Sequence, residues 1–467
     1  MNWQEQPLPE GFRLAMDREV RRPSWTVVIG GTPLRVLRLG PRGARLIDAW
    51  QAGQPVGVAP AAGAFARRLV DAGFAHPRPP DGPAPKVSVV IPVRDREIGL
   101  RSTLAAVGDS GVVGVVVVDD GSATPVERDP DWNERVSVVR RDSTGGPAAA
   151  RNAGWMAACS EVVVFLDADC LPVGDWIRML GRHFADPAVA AVAPRIVSPA
   201  GTPGAVRAYE SRRSPLDLGD RESPVRPRSR VPYVPTACLA VRRACLESVG
   251  GFDESLRFGE DVDLVWRLND AGWTVRYEPG VRVEHPPRPD VPSLLRQRFD
   301  YGRSAAPLAR RHGDDVAPLA ISPWSLAAWG LLVAGQPGAA SVVTAGSSAV
   351  LAKRAGKDVA TAKELARLAL RGNLMAGGRL AEAVRRAWAP PALAFLAAAP
   401  SARARRRIVA ALVGVLAVPL VEWAGERPPL GPALWTALRT ADDLAYQAGV
   451  WAGVVRERSG RALLPRF

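Results

Sequence analysis

Asp167-Ala168-Asp169 closes the apolar run Val162-Val163-Val164-Phe165-Leu166. Five apolar residues in a row read as a buried parallel strand. Carboxylates just past the carboxyl end of such a strand stand where open α/β sheets bind ligands. Hard oxygen donors at that edge suit a divalent cation, Mg²⁺ or Mn²⁺, carrying a diphosphate. A second acidic cluster, Gly259-Glu260-Asp261-Val262-Asp263, follows roughly ninety residues later. One cluster offers metal ligands and the other a base.

Other residues fit around these two clusters. Ser88-Val89-Val90-Ile91-Pro92-Val93-Arg94 reads as a first strand whose proline, at the strand end, turns the chain into a loop over a ligand. Val115 to Val118 lead into Asp119-Asp120-Gly121-Ser122. A carboxylate there accepts hydrogen bonds from a base or a ribose, or else caps a turn. Gly145-Gly146-Pro147 opens a helix that carries Arg151. That entry is either a diphosphate cradle or a helix-capping turn. It is neither a P-loop nor a dinucleotide fingerprint. His285 ends the run Val281-Arg282-Val283-Glu284, as a metal ligand or a plain strand-edge residue. Trp266 and Trp273 either shape an acceptor groove or pack in the core.

Read in order, these elements resemble the family 2 glycosyltransferases. The resemblance covers residues 87 to about 305 and implies a GT-A fold: an α/β domain with a mostly parallel sheet flanked by helices. It implies that Pro92, Val93 and Asp119 or Asp120 line the nucleotide base, and that Arg151 lies near the nucleotide. Asp167 would contact ribose or metal. Asp169, with His285, would hold Mg²⁺ or Mn²⁺, and Asp261 would be the catalytic base, with Glu260 and Trp266 on the acceptor side. Gln297-Arg298-Phe299 does not match the Gln-x-x-Arg-Trp signature of processive synthases.

The elements that must carry these residues follow from composition and pattern. The chain has 467 residues, 47% hydrophobic and 23% charged, enough for two or three domains with real cores. Its net charge of +14 rests almost wholly on arginine, since Lys86, Lys353, Lys357 and Lys363 are the only lysines. Such basicity suits an anionic small substrate or anionic lipid. Nucleic acid is not expected, because no zinc finger, basic zipper or aromatic-studded basic strand is present. Cys159, Cys170, Cys238 and Cys245 form no Cys-x-x-Cys pair and read as reduced thiols. The start, Met1-Asn2-Trp3-Gln4-Glu5, lacks the basic and apolar segments of a signal peptide.

Three regions are expected. Residues 1–76 read as a small α+β unit, winged-helix-like. It has strands Trp25 to Ile29 and Leu34 to Leu39 about Gly30-Gly31, then helices from Pro41 and from about Ala61. Residues 77–85 form a proline-rich linker. Residues 86–312 alternate strand and helix, with Val87 to Val93, Gly114 to Val118, Arg135 to Val139 and Val162 to Leu166 as apolar runs between helical stretches. Residues 313–467 are alanine-rich and helical. There Val316 to Ala352 carries no charge, and Arg403-Ala404-Arg405-Arg406-Arg407 lies between two uncharged runs. These runs read either as a small helical core or as interfacial helices with an arginine anchor on anionic lipid. Pro323 and Pro337 break the first run, and the pieces between and after them fall short of the ~20 residues that span a bilayer.

The full chain resembles the glycosyltransferases of mycofactocin systems. That resemblance implies transfer of glucose, from UDP-glucose, onto a peptide-derived redox cofactor as a short β-linked glucan. The first region resembles small winged-helix domains that bind precursor peptides, which implies that it takes the peptide-derived acceptor by adding a strand to Leu34 to Leu39. The uncharged runs and their arginine stretch place the protein at the cytoplasmic side of the membrane, with a purely cytoplasmic protein as the alternative. The alternatives are the same chemistry on a cell-envelope lipid or polysaccharide, and a non-catalytic basic adaptor.

Overall fold

The computed structural model describes residues 6–83, 85–108, 110–199, 201, 204–355 and 358–467. They form two compact units: residues 1–201 with 213–287, and residues 202–212 with 288–467.

The first unit begins with β1 (Arg13–Met16), β2 (Arg21–Ser24), β3 (Val27–Gly30), β4 (Arg35–Arg38), α1 (Pro41–Gln51), α2 (Pro60–Asp71) and β5 (Ala75–Arg78). The expected hairpin is β3 and β4, antiparallel, with β2 on the other side of β3. Proline in the first turn suits both helices, because the N–H it lacks has no helical partner there. Ala44, Ile47 and Trp50 lie along one face of α1 and are buried with Phe12, Val28, Leu69 and Phe74. The linker expected at residues 77–85 begins inside β5, where Pro77 pairs with Leu14. A two-stranded ribbon has only edges, so it tolerates that proline.

This segment is fastened to the rest of its unit by ion pairs, one of them fully buried. Arg67 Nη1 and Nη2 donate to Asp186 Oδ2 and Oδ1 at 2.7 and 2.6 Å, with both side chains buried. Arg78 makes a second forked pair with Glu222 at 2.7 and 2.6 Å. Asp17 takes His76 at 3.0 Å and Arg230 at 2.9 Å.

The larger part of the unit runs through β6 (Val87–Val93), α3 (Glu97–Val107), β7 (Gly114–Asp119), β8 (Val136–Arg140), α4 (Pro147–Ala157), β9 (Val162–Leu166), β10 (Leu171–Pro172), α5 (Trp176–Gly181) and β11 (Val189–Val197). Helix α6 (Ala205–Arg213) lies almost wholly in the second unit. Then come β12 (Ser223–Val225), β13 (Cys238–Arg242), α7 (Arg243–Val249), α8 (Glu260–Asp270) and β14 (Thr274–Glu284).

The sheet order is β10-β14-β11-β13-β9-β6-β7-β8, with β12 on β14. The four strands legible as apolar runs, β6 to β9, are mutually parallel. Every residue of β9 is buried, as a parallel strand covered on both faces requires. The sheet as a whole is mixed, since β13 is antiparallel to both β9 and β11. From β6 the chain steps outward to β7 and β8, then returns on the other side of β6 as β9. The reversal lies between β6 and β9, where α/β sheets open a crevice at their carboxyl ends. The loops after these two strands therefore face one another.

The second unit contains most of α6, then α9 (Val291–Arg303), α10 (Ala305–His312), α11 (Pro323–Val333), α12 (Pro337–Lys353), α13 (Val359–Ala383), α14 (Ala389–Ala397), α15 (Ala402–Glu426) and α16 (Pro432–Glu457). Helices α9 and α10, on the catalytic side of a boundary at 312, belong to this helical unit instead. Buried Arg298 joins α6, α9 and α16 by donating to Glu210 and Asp442, each at 3.0 Å. Helix α15 extends well past the uncharged run Ile408 to Val421, so the run length understated the helix. Among the described residues it is the one helix long and apolar enough to cross a bilayer, and almost none of it is buried in protein.

Candidate active site

Leu166 ends β9, the Asp167 N–H donates to Ala237 O at 3.0 Å as one more rung toward β13, and the Cys170 N–H then closes a turn on Asp167 O at 3.0 Å. Helix α3 packs tightly onto that turn. A Cβ on Gly99 would come within 2.7 Å of Ala168 O, so only glycine allows this approach. Thr103, fully buried, donates its hydroxyl to Cys170 O at 3.0 Å.

Asp169, Cys170 and His285 offer ligand atoms that all lie within 4.8 Å of one another. His285 Nε2 is 3.5 Å from Asp169 Oδ1, and Arg96 Nη1 donates to Asp169 Oδ2. Burial, and then the charges of Asp167 and Asp169, push the Cys170 thiol well up, so it stays protonated. The effective donors are a carboxylate and an imidazole, a set that fits Mg²⁺ or Mn²⁺ with phosphate oxygens completing the shell.

Arg151 connects the two acidic clusters. It projects from α4, buried, and donates Nη2 to Asp167 Oδ1 at 2.9 Å and Nη1 to Glu260 Oε1 at 2.8 Å. Burial alone would lower its pKa, but the carboxylates of Asp167 and Glu260 outweigh that and raise it. Asp261 follows Glu260 in the first turn of α8, behind Gly259 in a left-handed conformation (φ +81°). A helix N-terminus favours an ionised carboxylate by at most ~2 kcal/mol. Here desolvation, and then the charge of Glu260, win: Asp261 is pushed up to about 7.

The donor-side loops are laced together. Asp120 N–H donates to Val93 O at 3.0 Å, Asp95 N–H to Ser122 Oγ at 3.1 Å, and Ala123 N–H to Asp95 Oδ1 at 2.8 Å. Pro92 is half-buried and Val93 buried. Asp119 is fully buried. Although burial pushes it up, hydrogen bonds from Ser122, Val126 N–H and Arg140 hold its carboxyl below the ordinary range. Asp120 accepts from Thr144 at 3.0 Å and from the Gly145 and Gly146 amides at 3.0 and 2.8 Å. The glycine amides read as a diphosphate cradle are thus engaged by Asp120. Trp266 is buried and donates its indole N–H to Pro232 O at 2.8 Å, the packing alternative for that residue. Three of the four cysteines, Cys170, Cys238 and Cys245, are buried, and all four are free thiols.

Two features escaped the sequence reading. Arg96 lies only three residues after Val93, but its meeting with Asp169 depends on which strands neighbour one another. The other is a groove of about 740 Å³ in the N-terminal segment, floored by Leu37, Leu46 and Phe65 and rimmed by Arg35, Arg38 and Arg42. Strand β4 is its open edge, since among the described residues it pairs only with β3. Asp71 also lines the groove, with Oδ1 buried and lacking a hydrogen-bond partner. Burial pushes that carboxyl up to about 6.

A parallel-strand crevice with an acidic turn and a buried acid–arginine bridge defines a class, the GT-A transferases. The family model for "Glycosyl transferase family 2" matches residues 88–250. The "Pre-mycofactocin glycosyltransferase" of Mycobacterium tuberculosis, from strains CDC 1551 and H37Rv alike, is 42% identical, covering 98% of this chain and 98% of its own. "Glycosyltransferase AglE" of Haloferax volcanii is 29% identical over 47% of this chain and 72% of its own. Among solved structures, the mannosyltransferase PcManGT from Pyrobaculum calidifontis, in complex with GDP-Man and Mn²⁺, is 19% identical with a TM-score of 0.44. That match covers 80% of this chain and 90% of the other. The chain belongs to glycosyltransferase family 2, and its likeness to the mycobacterial proteins extends well beyond the segment that the family model matches. It is a glycosyltransferase, and its class implies a nucleotide-sugar donor and an acceptor.

Proposed function

We propose that this enzyme transfers glucose from UDP-glucose to pre-mycofactocin, a peptide-derived redox cofactor, and extends it into a short β-linked oligoglucan. The observation that carries this reading is the 42% identity over 98% of both chains, which takes in the N-terminal segment and the helical unit as well as the transferase domain.

In this reading Pro92 and Val93 line the nucleotide base, with Asp119 and Asp120 fixing the shape of that loop from behind. Arg151 and Asp167 orient the donor. Asp169 and His285 hold the divalent cation, Mg²⁺ or Mn²⁺, which when bound neutralises charge on the diphosphate. Asp261 accepts the proton of the acceptor hydroxyl. That oxygen attacks the anomeric carbon as the carbon–oxygen bond to the diphosphate breaks, and the electron pair leaves on the β-phosphate oxygen. One displacement inverts the anomeric centre. A positioned general base of this kind contributes about 10²–10⁴ in rate. Glu260 sets the basicity of Asp261 through its charge, while Trp266 supports the α8 scaffold.

The remaining parts supply partners. The arginine-rimmed groove beside β4 supports recognition of an extended, acidic peptide segment by strand addition. Helix α15 exposes Val409, Val413, Leu416, Leu420 and Val421 and starts with Arg403, Arg405, Arg406 and Arg407. That combination supports peripheral contact with an anionic membrane on its cytoplasmic side.

The test is a donor screen. Purified full-length protein with Mn²⁺ is given each common nucleotide sugar and extract from cells lacking the enzyme, and products are read by mass spectrometry. Hexose increments on a small peptide-derived redox compound, with UDP-glucose as donor, support the reading. Transfer only to a prenyl lipid or polysaccharide replaces it with the envelope alternative.

A further inference from the structure

Asp169 carries two partners from opposite sides of the crevice. His285 Nε2 lies 3.5 Å from Oδ1, and the guanidinium of Arg96 rests on Oδ2. Arg96 is the residue before α3, and the α3 backbone is clamped to the acidic turn by Gly99 against Ala168 and by Thr103 on Cys170. Its Cα is therefore held by the fold beside Asp169. The side chain differs from its neighbours in being free to move: Arg96 is 52% exposed, whereas the Asp169 side chain is 15% exposed. Arg151, by contrast, is spoken for by two carboxylates and buried.

A cation held by Asp169 and His285 meets this guanidinium on the same carboxylate, the cation on the Oδ1 side that faces His285 and Arg96 on Oδ2. Two positive groups on one carboxylate repel and share its charge, so the cation loosens the hold of Arg96. An arginine that yields its carboxylate beside a bound nucleoside diphosphate finds a better partner there, because its planar fork matches phosphate oxygens.

We infer that Arg96 is a positioning residue that exchanges partners: it balances Asp169 until a divalent cation displaces it, and then binds the donor diphosphate. The inference rests on the reading of Asp169 and His285 as the cation site. It couples the two ligands. The cation frees Arg96, and the freed guanidinium strengthens diphosphate binding, so donor and cation favour one another beyond their direct contact.

The experiment uses the full-length protein as wild type, Arg96→Gln and Arg96→Lys. Mn²⁺ binding without nucleotide is measured by electron paramagnetic resonance, and UDP binding at saturating Mn²⁺ by calorimetry. The two affinities should move in opposite directions in Arg96→Gln: Mn²⁺ tighter and UDP weaker, each by about threefold to tenfold, the worth of one partly exposed charge-assisted contact. Arg96→Lys, which keeps the charge without the fork, should leave Mn²⁺ near wild type and recover only part of the UDP affinity. Unchanged or weaker Mn²⁺ binding in a folded Arg96→Gln variant overturns the exchange. Tighter Mn²⁺ with unchanged UDP overturns its second half. Loss of Mn²⁺ binding from wild type and both variants sinks the cation site itself, a separate failure.

Discussion

Arg151 Nη1 stands 2.8 Å from Glu260 Oε1, although 109 positions separate the two residues in sequence. The same guanidinium reaches Asp167 at 2.9 Å, so the acidic turn after β9 and the first turn of α8 share one buried counter-charge. The two halves proposed to bind the donor and to supply the base are therefore a single electrostatic unit. Asp261, immediately after Glu260, has its basicity set inside that unit.

Asp261→Asn removes the proposed base and keeps the shape. Transfer should fall by about 10²–10⁴. Binding of nucleoside diphosphate should be unchanged, because Asp261 belongs to the acceptor side. Steady-state rates and calorimetric titration of the same sample check both halves, and wild-type turnover in this variant would falsify the assignment.

The pH profile follows from the raised carboxyl. With Asp261 pushed up to about 7, the base form is depleted as pH falls through that value, so kcat/KM should decline on the acid side with a limb near pH 7. Desolvation is the main cause and the charge of Glu260 the next. Glu260→Gln removes that repulsion, so the limb should move to lower pH. A limb that stays in place separates Asp261 from the titrating group.

Arg67→Ala leaves Asp186 buried without its forked partner. Breaking a buried pair from one side costs about 3–5 kcal/mol. Urea unfolding should show that loss, while the double change Arg67→Met with Asp186→Leu should restore much of it. The same pair makes deletion of residues 1–80 a poor test of the first region, since truncation strands Asp186 inside the transferase domain.

Recognition is better tested by charge. Arg38→Glu with Arg42→Glu should raise KM for a peptide-derived acceptor by about tenfold to a hundredfold, as two attractive rim contacts become repulsive. Donor KM and thermal stability should hold. An equal loss with a simple sugar acceptor would separate the groove from acceptor recognition.

Val413 and Leu416, 59% and 56% exposed on α15, test the membrane reading. Replacing both with Asp should leave the melting temperature within a few degrees, since exposed positions contribute little to a core. Flotation with vesicles containing anionic lipid should be lost. A collapse in stability would instead mark this face of α15 as packed against protein in solution.

Much of the transferase domain was legible because buried parallel strands are written as unbroken apolar runs, and β6 to β9 announce themselves in that way. The acidic residues at their ends were legible for the same reason, as a polar stop after such a run marks the sheet edge. Strands β11 and β13 were missed. Ala-rich segments such as Val189–Val197 carry no clear period, and their partners, β13 antiparallel and β14 parallel in the case of β11, are distant in sequence. Asp119 and Asp120 illustrate the other limit. Sequence allowed a ligand contact or a turn cap, and the hydrogen bonds to Ser122, Val126, Gly145 and Gly146 are of the second kind. Arg96 and Arg67 were invisible because their value lies in a partner brought near only by tertiary folding. The groove beside β4 was half legible: the hairpin showed, but not the cavity between it and α2.

The clasp of Arg67 on Asp186 spans 119 positions, which matters for a chain synthesised from its amino end. The first segment to leave the ribosome carries a guanidinium destined for the interior long before its carboxylate has been translated. Domains generally fold as units in that order. The segment's own core, with Phe12, Ile47, Trp50 and Phe74, needs only residues already made, whereas its clasp on the transferase domain stays open until Asp186 has emerged.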